Sequence, residues 1–242
     1  MSNFEALRQS ALFRGLSLQE IAALRRIMHS RTFSSNTIIL EKGQEGDGVY
    51  ILASGTTKIC IRRDDGNEVI LNILGPGQVL GELSAVDNAG HSASVITLET
   101  CRFLWMEETD FTACRHSMPS LNHNLVLILT QRLRRLTRQM EAVTTLDVYG
   151  RIACQLLAFA QDYGQVASNG DILLPLHLTQ LDLAGLIGAS RGRVNQVMAF
   201  YKRQRYLSVG PDCRITIHDQ AALAKRCQVL PTPGERAIPG SG

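Results

Sequence analysis

The chain has 242 residues, of which 45% are hydrophobic and 19% charged, enough for one or two domains with real cores. A formal net charge of +3 excludes a strongly polyionic chain, and no run of about 18 apolar residues marks a membrane span. The N-terminus lacks a basic-then-apolar leader, which predicts a soluble, cytoplasmic protein that is not exported.

The charge is unevenly placed. Residues 1–146 hold 15 Lys+Arg against 15 Asp+Glu, whereas residues 147–242 hold 10 against 7. Within the second part, Arg191, Arg193, Lys202, Arg203 and Arg205 fall in one stretch without an acid, which points to a polyanionic partner. The six cysteines (Cys60, Cys101, Cys114, Cys154, Cys213 and Cys227) contain no C-x-x-C pair and no repeated ligand spacing. They are expected to be buried, reduced thiols.

Residues 1–30 are helical in character. Ser17-Leu18-Gln19-Glu20 is a capping-box pattern ahead of Ile21, Leu24, Ile27 and Met28. From residue 31 to 105 the period changes. Short β-rich runs at 37–40, 48–52, 58–61, 68–71, 93–96 and 101–105 are punctuated by glycines, the mark of an antiparallel sandwich or barrel. Asp64-Asp65-Gly66-Asn67 reads as a hairpin turn, because Asp-Gly tolerates positive φ. Residues 106–116 read as a short helix.

From Pro119 to Thr144 the apolar residues Leu121, Leu125, Leu129, Leu133, Leu136, Met140 and Val143 recur at steps of four and three. That is the seam of a helix that pairs with another helix. Pro119 suits its first turn, and at 1.5 Å per residue it is roughly 39 Å long. Asp147 then caps a helix from Val148 to about Asp162, which Gly164 ends in the usual C′ position. Residues 165–172 read as a polar loop.

Thr179-Gln180-Leu181-Asp182 opens a short helix that Gly188 closes. Ser190 caps the next helix, with Val194, Val197, Met198 and Tyr201 inward. Two capped helices around a glycine turn form a helix-turn-helix, and strands at 206–209 and 214–217 add a wing. Residues 231–242 hold three Pro and three Gly without an apolar pattern and read as a disordered tail.

The order of barrel, long helix and winged helix-turn-helix resembles the cyclic-AMP receptor protein/FNR family of bacterial transcription regulators. Three ordered stretches carry the resemblance: Leu74-Gly75-Pro76-Gly77-Gln78-Val79-Leu80-Gly81-Glu82-Leu83, Leu146-Asp147-Val148-Tyr149-Gly150-Arg151-Ile152-Ala153, and Ala184 to Val197. It implies an α+β chain in four parts. These are a cyclic-nucleotide-binding jelly-roll barrel over 1–116, a dimerisation helix over 117–146, a winged DNA-binding domain over 147–230 and the tail over 231–242.

The first stretch is similar to the start of the family's phosphate-binding cassette, in which the backbone N–H groups of Gly81, Leu83 and Ser84 would meet a cyclic phosphate and Glu82 a ribose hydroxyl. Where cyclic-AMP-binding members carry Arg before a hydroxyl residue, this chain has His91-Ser92, which replaces a permanent cation with a titratable one. Where such members offer two hydroxyls to adenine, this chain has Leu136-Thr137. Arg62-Arg63-Asp64-Asp65 fits R-x-x-D, a motif that grips cyclic di-GMP in some receptors. Of the cations Arg132, Arg134, Arg135 and Arg138 on the long helix, Arg134 and Arg138 are the candidates to help hold such a double anion. The sequence slightly favours cyclic di-GMP as effector over cyclic AMP, with a ligand-independent regulator as the other reading.

The recognition helix turns Arg191, Gly192, Asn195 and Gln196 outward. Arg suits guanine, and Asn and Gln suit adenine. Thr179, Gln180, Ser190, Arg193, Lys202 and Arg203 are candidates for further DNA contacts, several of them to phosphate. The resemblance implies a homodimer on double-stranded DNA with a two-fold operator, and RNA polymerase as a partner. With the first cysteine at Cys60, an N-terminal iron–sulfur site is unsupported, and the histidines suggest neither haem nor another metal. No HExxH, Walker glycine loop or nucleophile–base pair suggests an enzyme.

Overall fold

The computed structural model describes Leu7 and residues 10–62 and 68–227. Arg63 and Asp65, the hairpin turn at 64–67 and the tail at 231–242 lie outside the described residues. The chain opens with a 3-10 turn (Ala11–Phe13) and helix α1 (Leu18–Ile27). The Ser17 side chain accepts from the Glu20 N–H and the Glu20 carboxylate from the Ser17 N–H, closing the capping box.

Eight strands follow: β1 (His29–Phe33), β2 (Ile38–Leu40), β3 (Gly48–Ser54), β4 (Thr57–Arg62), β5 (Glu68–Leu74), β6 (Val79–Leu80), β7 (Ser94–Thr97) and β8 (Cys101–Glu107). They form two antiparallel four-stranded sheets, ordered β1-β8-β3-β6 and β2-β7-β4-β5. The two sheets remain separate, so of the sandwich-or-barrel alternatives the jelly roll takes the form of an open sandwich. Leu40, Tyr50, Leu52, Leu80, Val95 and Phe103 fill the space between them. β3 lies in an inner layer and is covered on both faces, which explains its unbroken apolar run. β1 escaped the sequence reading because its residues are polar and mostly exposed.

Helix α2 (Ser84–Asp87) sits between β6 and β7. Helix α3 (Glu108–Ser117) leads to α4 (Pro119–Thr145), the long helix, with Pro119 in its first turn. Its apolar residues serve two surfaces. Leu121, Leu125 and Ile128 are buried against the first sheet, α1 and α3. Leu133 (66% exposed), Leu136, Met140 (72% exposed) and Val143 face outward, in line with Val126. The expected continuous seam is therefore divided: its first turns belong to the chain's own core. Asn124 fixes this division. Its buried amide donates to the carbonyls of Leu12 (3.0 Å) and Arg14 (2.7 Å).

The remainder comprises α5 (Val148–Tyr163), β9 (Gln165–Val166), β10 (Ile172–Leu174), α6 (Gln180–Ile187), α7 (Arg191–Arg203), β11 (Leu207–Val209), β12 (Ile215–Ile217) and α8 (Gln220–Arg226). The wing is a four-stranded sheet, β11-β12-β10-β9, in which β9 and the start of β10 lie where a polar loop is expected. Gly164 ends α5, but at φ −58° rather than in the left-handed region. Its requirement is space: a Cβ there would lie 2.3 Å from the Ala160 carbonyl oxygen. The cysteine expectation is also corrected. Cys154 and Cys227 form a disulfide, because α8 carries Cys227 back onto α5 across 73 residues, a pairing that no local spacing announces. Cys60, Cys101 and Cys114 are buried thiols and Cys213 is a half-buried one.

The winged domain and the sandwich share a core. Ile70 and Ile73 of β5 join the same cluster as Leu183, Ala184 and Ile187 of α6. At the edge, Arg214 bonds Glu99 at 3.0 Å, while Thr56 donates to Glu99 and accepts from the His177 N–H.

Removing the Asn124 amide leaves two carbonyls without their donor. Asn124→Ala is expected to cost about 2 kcal/mol in urea unfolding, whereas alanine at exposed Thr130 should change stability by less than about 0.5 kcal/mol.

Candidate functional site

The cassette is built around one glycine. Gly81 has φ +79°, and a Cβ on it would lie 2.5 Å from the Gly48 carbonyl oxygen. Only glycine lets the chain turn here against β3. The turn sends the next residue, Glu82, inward, where it is 1% exposed. Arg132 reaches from α4 to meet it. One guanidinium nitrogen bonds the Glu82 carboxylate and another the Val79 carbonyl, the latter at 2.5 Å. A buried carboxylate is tolerable only with such a partner. Arg132 belongs to the arginine run noted in the sequence, but its role there needed the fold: β6 and α4 meet only in three dimensions.

Ser84 lies one turn beyond Gly81, is buried, and donates its hydroxyl to the Gly81 carbonyl at 3.0 Å. Its oxygen lies 3.1 Å from His91 Nδ1. With the serine proton committed to Gly81, His91 Nδ1 carries the imidazole proton and donates, leaving Nε2 as the ring's acceptor. His91 is 8% exposed, and its backbone exchanges hydrogen bonds with Gly43 and Gln44. Burial holds its pKa below the ordinary 6.5, against the opposing pull of Asp47 and Glu82. Ser92 and Leu83 are exposed. Gly81, Glu82, Ser84 and His91 thus make one small polar cluster, tied to the long helix through Arg132.

The other ligand candidates lie elsewhere. Arg62 ends β4, exposed, with Nε 4.0 Å from Glu68. Arg134, Thr137 and Arg138 lie on the exposed side of α4, where Thr137 spends its hydroxyl on the Leu133 carbonyl. Leu136 is 49% exposed beside it. Arg135 instead pairs with Asp162 of α5 at 2.5 Å. A cavity of about 510 Å³ lies between α4 and the winged domain, lined by Arg138 and by the Arg135–Asp162 pair but by none of Gly81, Glu82, Ser84 and His91.

The DNA-facing candidates lie on α6, on α7 and at the caps of these two helices. Thr179 caps α6, accepting from the Asp182 N–H, and Gln180 opens the helix half-buried. Gly188 ends it at φ +65°, the left-handed turn that the helix-turn-helix requires. Ser190 caps α7 by accepting from the Arg193 N–H. Val194, Val197, Met198 and Tyr201 are buried, so Arg191, Gly192, Asn195 and Gln196 are all exposed, as are Lys202 and Arg203. Arg193 turns back: it bonds Gln196 at 3.0 Å and lies 5.6 Å over the Tyr149 ring. Tyr201 donates to the Tyr149 carbonyl at 2.8 Å, which ties the recognition helix to the first turn of α5.

Comparison with known proteins agrees with this layout. Residues 30–117 match the cyclic nucleotide-binding domain, and residues 150–226 match the Crp-like helix-turn-helix domain. The chain is 32% identical to a CRP-like cAMP-activated global transcriptional regulator of Mycobacterium tuberculosis, over 93% of this chain and 99% of that one. The chain belongs to the CRP/FNR family. Among solved structures, FixK2 from Bradyrhizobium japonicum superposes with a TM-score of 0.73 at 16% identity, covering 83% of this chain and 97% of that one. CLP of Xanthomonas campestris, described as a c-di-GMP responsive global regulator, superposes at 0.65 and 20% identity, covering 84% and 99%. At those identities the two structures speak for the fold alone. The CRP/FNR chain is accordingly a DNA-binding transcription regulator with a cyclic nucleotide-binding domain. Among its described residues, no helix is long and apolar enough to cross a membrane, and no cluster of three metal-ligating side chains occurs.

The buried Glu82 carboxylate should not tolerate loss of its partner. Arg132→Ala is expected to destabilise the protein by about 3 kcal/mol in urea at pH 7. The double variant Glu82→Gln/Arg132→Ala should recover part of that loss, because no charge is then left buried.

Proposed function

We propose that this chain is a homodimeric, sequence-specific DNA-binding transcription regulator controlled by a cyclic mononucleotide, with cyclic AMP as the effector. The observation that carries this reading is the Glu82–Arg132 pair. It places a buried, oriented carboxylate within the cyclic nucleotide-binding domain and joins it to the long helix. A ribose hydroxyl donating to Glu82 would share that carboxylate with Arg132. Effector binding and helix position are thereby coupled. The 32%-identical relative is cAMP-activated, which supports the same choice.

His91 stands where a permanent cation would face the phosphate. Neutral in the free protein, it must gain a proton to match an anion. Binding then takes up a proton, so affinity rises as pH falls through the window between the bound-state and free-state pKa values, the latter held below 6.5. Below that window affinity levels off. Cyclic AMP titrated into the protein by calorimetry should bind up to about tenfold more tightly per pH unit within the window. His91→Arg should bind more tightly at pH 8 and lose most of this dependence. A flat profile in the unmutated protein would remove His91 from the phosphate's surroundings.

The second reading is cyclic di-GMP held at the hairpin through Arg62-x-x-Asp65, favoured by the exposure of Arg62 beside Glu68. The two readings separate cleanly. Glu82→Ala should abolish cyclic AMP binding while Arg62→Ala leaves it intact; the reverse pattern with cyclic di-GMP would establish the second reading.

Dimerisation rests on the outward stripe of Val126, Leu133, Leu136, Met140 and Val143, which runs at heptad steps along α4. Leu133→Glu is expected to convert the dimer to a monomer in sedimentation velocity and to weaken operator binding more than tenfold. In this reading the protein works in the cytoplasm, on a two-fold operator and with RNA polymerase as a partner.

A further inference from the structure

We infer that Cys154 and Cys227 form a reversible oxidative modification site whose disulfide raises DNA affinity, with peroxides as the oxidant class and small dithiols or glutathione as the reductant. The inference rests on the DNA-binding reading above, because a protein that works beside the chromosome meets a thiol-reducing environment. Disulfides there are usually transient and redox-sensing.

The position of the bridge gives it leverage. Cys227 caps the end of α8, and Cys154 lies in the second turn of α5. The residue beside it, Arg226, holds its guanidinium 5.8 Å over the Tyr149 ring and 5.6 Å over Phe200. Tyr149 belongs to the first turn of α5, just past the long helix, and Phe200 to the recognition helix. These two rings meet edge to face at 5.4 Å. The bridge therefore pins a cation onto the joint between the hinge and the DNA-reading helix. Opening it frees the last turn of α8 and loosens that joint.

Of the partly exposed cysteines, Cys154 and Cys227 are the two placed to bond each other, and Cys213 is a single half-buried thiol. Both residues of the pair are partly exposed and line the cavity between α4 and the winged domain, which admits small oxidants and thiols. By contrast Cys60, Cys101 and Cys114 are buried, and burial pushes their thiols up, that of Cys101 to about 11. In the oxidation, one thiolate attacks the peroxide O–O bond, forming a sulfenic acid and releasing water or an alcohol. The second thiolate displaces hydroxide from that sulfur, and the hydroxide leaves as water. Two thiols give up two electrons and two protons, and the peroxide is reduced. Reduction passes through a mixed disulfide: an external thiolate attacks one sulfur, then a second thiolate resolves the adduct and restores both cysteines.

The test uses the full-length chain. Protein is equilibrated in glutathione buffers running from fully oxidised to the poise of the cytosol, then quenched with a maleimide of high mass to count open bridges. In parallel, affinity is measured, with and without saturating cyclic AMP, for a fluorescein-labelled duplex that the oxidised protein has selected from a random-sequence pool under the same two conditions. The bridge should open within that range, and the reduced protein should bind on the order of tenfold more weakly. Hydrogen peroxide should restore the tighter state. Cys154→Ser and Cys227→Ser should each remain weak and fail to respond to peroxide, while Cys213→Ser should behave as the unmutated chain. A bridge still closed at the reducing end would be purely structural and would overturn the inference. Equal affinity in the two redox states would overturn it as well. The redox comparison on the unmutated chain decides the matter even if a serine variant folds poorly. If no duplex can be selected, the DNA-binding reading falls and this inference with it; the maleimide titration, which needs no DNA, identifies that as the cause.

Discussion

A carboxylate buried at the turn after β6 sets the arrangement of this molecule. Glu82 can remain there only because Arg132 arrives from the long helix, and Arg132 arrives only if that helix lies in one register on the sandwich. The pair therefore works as a gauge of helix position. Gly81 makes the gauge possible, since no side chain fits between that turn and β3. A ligand that shares Glu82 need not push anything. It has only to prefer one helix register over another, and the population follows.

Under the proposed effector control, the signal has a short path beyond the helix. α4 ends at Thr145, Asp147 caps α5 by accepting from the Gly150 N–H, and Tyr149 is already in contact with the recognition helix. Meanwhile α6 shares a core with β5 of the same chain, so the reading head is seated on the sensor as well as strung from the helix. Two mechanical connections between sensor and reader restrict their relative motion more than one would. A shift of the helix must be matched by slippage at the apolar contact between β5 and α6. The edge contacts of Glu99 with Arg214 and Thr56 oppose such slippage through charge and hydrogen bonding.

What the sequence made legible was periodic or local. The seam of α4, the capping boxes at Ser17 and Thr179, the Asp147 and Ser190 caps and the helix-turn-helix glycine all depend on residues within a few positions of one another. What it hid was long-range. The division of the seam between own core and outward stripe depends on where the sandwich ends, which Leu121 and Leu133 do not reveal by themselves. The pairing of Arg132 with Glu82 spans 50 residues, and the bridge between Cys154 and Cys227 spans 73. Gly164 was recognisable as a helix terminator, but its crowding against Ala160 and Ile172 replaces the backbone freedom usually credited to that residue. The choice between sandwich and barrel stayed open in the sequence, because strand count alone does not tell a barrel from two facing sheets.

Gly192 carries a consequence of a different kind. It sits on the exposed face of α7, with nothing within 4 Å of where a side chain would begin. If that face reads DNA, position 192 contributes no side chain to the readout, and a base pair that only residue 192 could reach would go unread. Each unread pair admits about four times as many matching sequences, and two-fold symmetry squares the effect to about sixteen. Such a protein trades information content for breadth: it finds more sites per genome and relies on the remaining contacts, and on the shape of the duplex, to rank them.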